Sequence, residues 1–159
     1  MAMASWTPSA ISLSIESDLY SSADIPSIGG IFVAQYADII EIVAPSQAVP
    51  GERVNITVRV KNTYSGVISV MVGGALDFGV TPWPGIDFPE NWANVDGGAV
   101  HSFSGSFLMP DGRITIHAYS YWYGADGYWY FDDEMTKTVN LAALTPQVSE
   151  FKIADFYKV

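Results

Sequence analysis

The 159-residue chain has no cysteine. Disulfide frameworks, thiolate metal sites and cysteine nucleophiles are therefore excluded, and a folded domain must rest on its apolar core. Basic residues are scarce as well. Seven Lys and Arg stand against 17 Asp and Glu, for a formal charge of −10. Nucleic-acid binding depends on cations that neutralise phosphates, and with no basic run the expectation is no nucleic-acid partner. The same deficit disfavours anionic membrane surfaces, and the acidity reads as solubility and resistance to self-association. No apolar run is long enough to span a membrane, so no membrane insertion is expected. Residues 1–8 have neither a basic n-region nor an apolar core, so they do not read as a signal peptide.

What the chain does have is apolar residues, nearly half of the total, together with frequent glycine, proline and aromatics. Many short strands joined by tight turns fit that composition. The clearest stretch opens with Pro50-Gly51, after which Val54, Ile56, Val58 and Val60 alternate with Asn55, Thr57, Arg59 and Lys61. Strand side chains point to opposite faces with a period of two, so this segment has one dry and one wet face.

Further strands are expected at Ile39 to Val43, Val67 to Val72, Val100 to Leu108, Ile114 onward, and Tyr128 to Phe131, with a last strand following to about Leu141; Gly73-Gly74 ends the second of these. A helix over Ile31 to Ile40 is the alternative for that stretch, but β-branched and aromatic residues at this density favour extended chain. Asp77 to Asp96 holds Pro82, Pro84 and Pro89 with Trp83, Phe88 and Trp92. Proline cannot donate to a ladder, so the segment is expected to be mostly a loop, pinned by aromatics packing on the sandwich. Turn signals recur about every ten residues, the spacing of an all-β sandwich.

The expected organisation is an N-terminal arm (1–30), a sandwich (31–144) and a C-terminal strand or arm (145–159). Ile11, Leu13 and Ile15 alternate with polar residues and predict a strand that pairs within the domain or on a neighbour's sheet edge. Phe151, Ile153 and Phe156 make the C-terminal arm apolar, suited to its own sheet or to another copy.

The run Val49-Pro50-Gly51-Glu52-Arg53-Val54 leading to Val58-Arg59-Val60-Lys61-Asn62-Thr63 resembles the early strands of prokaryotic immunoglobulin-like modules of the cell-adhesion-related type. The run Phe103-Ser104-Gly105-Ser106-Phe107-Leu108-Met109-Pro110-Asp111-Gly112-Arg113-Ile114-Thr115-Ile116 resembles their later strands. The resemblance covers Ile39 to Leu141 and implies an immunoglobulin-like antiparallel β-sandwich, with a jelly roll as the alternative. Such modules occur as spacers or adhesion units on cell surfaces, beside carbohydrate-active enzymes, and on phage tails and capsids. These are motifs of a fold and carry no chemistry of their own.

The candidate site is aromatic. Tyr119, Tyr121 and Tyr123 fall on one face of a strand, with Tyr128 and Trp129 across a hairpin and Trp122 pointing the other way. Trp83 and Trp92 are further candidates. Three readings fit: cross-strand packing, a protein interface, or a sugar-stacking platform. Asp126, Asp132, Asp133 and Glu134 offer oxygen ligands but lack a calcium-loop spacing, so no metal and no cofactor are expected. His117, Ser120 and Asp126 compose a hydrolytic triad on paper, without a nucleophile elbow. The sequence therefore predicts no enzyme. It predicts a structural or interaction protein of a virion or extracellular surface, a homo-oligomer through its arms or sheet edges, with glycan binding as the alternative.

Overall fold

The computed structural model describes residues 27–28, 31–32 and 34–143. The segments holding Ile11, Leu13, Ile15, Phe151, Ile153 and Phe156 lie outside the described residues. In chain order the strands are β1 (Ser27–Ile28), β2 (Ile31–Phe32), β3 (Ala37–Val43), β4 (Gln47–Ala48), β5 (Arg53–Asn62), β6 (Ile68–Asp77), β7 (Trp92–Val95), β8 (Val100–Leu108), β9 (Ile114–Tyr123) and β10 (Trp129–Leu141). Among the described residues there is no helix.

Alternation becomes layering. Val54, Ile56, Val58 and Val60 on β5 are buried, as are Phe103 and Phe107 on β8 and Ile114, Ile116 and Ala118 on β9. Burying these faces against one another gives two sheets, ordered β3-β5-β8 and β4-β10-β9-β6-β7. Removing such side chains from water, at about 1.5–3 kcal/mol each, is the main favourable term holding the layers together. The chain passes between layers after β3, β4, β5, β7 and β8, while β6–β7 and β9–β10 stay as hairpins within one sheet. This 3 + 5 arrangement is the immunoglobulin-like sandwich rather than the jelly roll. β3 and β4 are one run of chain that switches sheets, and β4 lies parallel to the end of β10.

The Pro50-Gly51 signal is a turn closed by Glu52 N–H donating to Val49 O at 3.1 Å, with Gly51 at φ 78°. A glycine there avoids the clash a side chain would meet at positive φ.

One expectation is corrected and one refined. Gly73-Gly74 does not end its strand, because β6 runs on to Asp77. The reason is packing. A Cβ on Gly74 would meet Ile86 Cδ1 at 2.9 Å, and one on Gly105 would meet Phe88 Cε1 at 2.6 Å. Both glycines clear space for the loop anchors Ile86 and Phe88, which are buried. The long loop is also not all loop: its last part forms β7 on the edge of the five-stranded sheet, and its middle pairs Ala75 with Gly85 and Asp87 with Ser106. That middle part joins β6 of one sheet to β8 of the other.

The opposite open side of the sandwich is closed by carboxylates. A β-bulge between Phe131 and Asp133 inserts Asp132 as an extra residue in β10. Asp132 Oδ1 accepts from Gln35 N–H at 3.0 Å, and its Oδ2 accepts from Tyr36 at 2.9 Å and Ala37 at 2.5 Å. Asp133 Oδ2 accepts from Ile39 N–H at 2.9 Å, and Ser120 Oγ donates to Ala37 O at 2.5 Å. The edge of β3 is thereby satisfied and tied to the other sheet. These acids serve the backbone.

Candidate functional site

Strand register decides which side chains share the outer face of the five-stranded sheet. One row runs Trp92, Met71, Tyr121, Phe131 across β7, β6, β9 and β10. The next row is Gly73, Tyr119, Glu134, and the one after is Ala75, His117, Thr136. Tyr123 pairs with Trp129 at the hairpin end. Gly73 has no side chain, and the Tyr121 ring lies 3.9 Å from where its Cβ would be.

The face is aromatic and open. Trp92 is 57 % exposed and Phe131 50 %, and Tyr123 and Trp129 are exposed beside them. The rings meet at angles: Tyr121 and Phe131 lie edge to face at 75°, while Tyr119 with Phe131 and Tyr123 with Trp129 are tilted at 57°. Trp83 reaches over from the loop to stack on His117 at 4.6 Å, and His117 stacks in turn on Tyr119 at 6.4 Å. His117 Nδ1 lies 2.6 Å from Glu134 Oε1. Trp83 is thus a clasp that fastens the loop to this face.

Charge on the face is of one sign. Glu134 stands beside Tyr119 and Asp77 beside Thr115. The phenols stay neutral donors. Burial first, then the Glu134 carboxylate and Tyr121, push the Tyr119 hydroxyl above its ordinary pKa, and burial does the same at Tyr121. The opposite outer face differs. Arg53, Arg59 and Lys61 line the wet side of β5, where Arg59 pairs with Glu41 at 2.8 Å and Arg53 donates to Ser106 at 3.0 Å.

The sequence candidates Tyr119, Tyr121, Tyr123, Trp129, Trp83 and Trp92 are brought to this one face. Tyr128 sits exposed in the adjoining turn. Trp122 does not join them: its register partners are Val70 and Tyr130, and it packs on Tyr130 at 5.0 Å and edge-on to Tyr36 at 4.8 Å. Phe131, Met71 and Glu134 belong to the face and were not read from the sequence as part of it, whereas alternation already set His117 beside Tyr119 on the wet side of its strand. Strict alternation from Trp129 would have turned Asp133 outward; the bulge turns Glu134 outward instead. The paper triad is not assembled, since Ser120 points into the core and His117 to the outer face. Asp126 takes the Tyr130 hydroxyl. Among the described residues no group of three or more His, Asp or Glu is placed to hold a metal ion.

No protein-family model matches the chain, and no curated protein matches its sequence. Solved structures of similar shape include the Pseudomonas fluorescens alkylpurine DNA glycosylase AlkC bound to DNA containing an abasic-site analogue. It is 16 % identical with a TM-score of 0.49, and the match covers 68 % of this chain and 31 % of that one. A CARDB domain from Pyrococcus furiosus, solved with di-metal ions, is 12 % identical with a TM-score of 0.47, covering 70 % and 94 %. A FixG-related protein from Vibrio parahaemolyticus is 10 % identical with a TM-score of 0.43, covering 69 % and 99 %. The expectation that the chain is not an enzyme is contradicted by the glycosylase match and is withdrawn. The likeness assigns no activity to this chain.

Proposed function

We propose that the chain is an interaction subunit of a protein assembly, on a virion or an extracellular surface, and that it docks a protein partner through the outer face of the five-stranded sheet. One observation carries the reading: Trp92, Tyr123, Trp129 and Phe131 are exposed together on a rigid sheet face, with Tyr119, Tyr121 and Met71 half-buried between them. Isolated exposed apolar residues are ordinary on a protein surface, but a contiguous aromatic set rimmed by polar groups marks a contact site. Trp, Tyr, Phe and Met are the residues enriched in interface centres. The sheet holds them without loop-ordering cost, so docking keeps more of the contact energy.

The placement on a virion or extracellular surface rests on the resemblance to modules that occur there. The sugar-platform reading needs flat, open rings side by side. Here neighbouring rings stand at 57–75°, and the stacked ones (Trp83, His117, Tyr119) cover one another. That geometry suits an irregular protein surface better than a sugar ring.

The test is oxidative footprinting of the chain within its native assembly and alone. Trp92, Trp129 and Tyr123 should be protected in the assembly and reactive in isolation. Equal reactivity in both would remove the reading. A glycan array showing binding that is lost on Trp92→Ala would transfer it to sugars.

A further inference from the structure

We infer that the partner segment received by the aromatic face carries arginine or lysine side chains, an inference that rests on the interface reading above. The face has π surfaces and carboxylates but no cation. Of the five Lys and Arg among the described residues, Arg53, Arg59 and Lys61 lie on the opposite sheet, and Lys137 Nζ donates to Ile42 O at 2.8 Å. Arg113 sits in the turn before β9. Nothing on the face itself therefore competes for its acids, apart from the His117 ring held against one oxygen of Glu134.

The arrangement suits a guanidinium in three respects. Trp92 has no ring partner among the described residues, so its indole face is open to a planar cation. Tyr119 contacts Phe131 at 6.4 Å and stands directly beside Glu134 in the register. A cation resting on those rings thus lies within reach of the Glu134 carboxylate, which combines stacking with a charge-assisted hydrogen bond. Charge excludes the alternatives in the same direction. The chain carries a net −10, so an acidic partner, or a second copy presenting its own acidic face, is repelled at long range.

The experiment uses four peptides of equal length and Gly-Ser spacing, bearing arginine, lysine, citrulline or glutamate, titrated into the isotope-labelled full chain and followed by NMR. Arginine should bind best, then lysine, with citrulline and glutamate far weaker. Shifts should concentrate at Trp92, Tyr119, Phe131 and Glu134. Glu134→Gln and Trp92→Ala should each weaken arginine-peptide binding by about threefold to tenfold. Asp87→Asn and Asp111→Asn, elsewhere on the acidic surface, should leave it unchanged. Citrulline binding as well as arginine, or shifts scattered over all the acids, would overturn the inference, as would concentration-dependent self-association through this face. No peptide binding combined with ring protection in the native assembly would sink the cationic partner and leave the interface. Loss of both would sink the two together.

Discussion

Replacing Asp132 by alanine should destabilise the whole sandwich although the residue lies in no packed apolar cluster. The residue is 8 % exposed, and its carboxylate accepts three backbone N–H groups, from Gln35, Tyr36 and Ala37. Ala37 is fully buried, and its orphaned donor costs about 1–3 kcal/mol. The donors of Gln35 and Tyr36 are partly solvated and lose roughly 0.5–1.5 kcal/mol each. Relief of carboxylate desolvation and of repulsion from Asp133 offsets part of this, leaving a loss of about 3 kcal/mol. That is about a 150-fold fall in the folded-to-unfolded ratio. With a urea m-value of about 2 kcal/mol/M, the midpoint should drop by roughly 1.5 M. Asp132→Asn should lose less than alanine but still clearly, because its amide oxygen keeps one side of the fork while its NH2 opposes a donor on the other. Urea denaturation followed by circular dichroism measures both. A loss below about 1 kcal/mol for alanine would refute the view that this bulge holds the two sheets together.

Other outcomes follow from the same geometry. Burial, and to a lesser degree Asp38 and Asp132, raise the Asp133 pKa above its ordinary 3.8, against the lowering hydrogen bonds from Ile39 and Glu134. Folding therefore favours its protonated form, so the wild type should lose stability relative to Asp133→Asn as pH rises from the ordinary carboxylate pKa through the raised folded one, and level off above it. The difference should vanish in acid, which stability curves at several pH values would read. Phe88→Ala should cost about 3–5 kcal/mol and expose the β6–β7 loop to hydrogen exchange. Gly105→Ala should also destabilise, because its new methyl meets the Phe88 ring, and the two changes combined should cost less than their sum in a double-mutant cycle. His117→Ala should release Trp83 from its stack while leaving the sheet intact, detectable as a narrowed, shifted fluorotryptophan NMR signal. An unchanged Trp83 signal would mean that the clasp is held by something else.

The alternation of apolar and polar residues settled a good deal in advance. β5 and β8 fall where Val54 to Val60 and Phe103 to Phe107 place them, because a period-two pattern of apolar side chains has one low-energy solution on a half-buried sheet. The Pro50-Gly51 turn is as local and as readable. Gly73-Gly74 misled for a definite reason: glycine ends strands on local propensity, yet here its missing side chain makes room for Ile86 and Phe88, which come from a distant loop. Trp83 and Trp92 could be named as candidates, but nothing local said that they would meet Tyr119 and Tyr121 on one face.

By itself, then, the sequence determined the sandwich class, the positions of most strands, the dry and wet sides of those that alternate, and the absence of any disulfide. Tertiary structure alone decided the rest. The bulge at Asp132 turns Glu134 outward and sends two carboxylates to the edge of β3, and the loop's return lays Trp83 on His117. The physical reason is range. Face and turn are set by neighbours a few residues apart, whereas register, bulge and clasp depend on groups that come together only after the two sheets have closed.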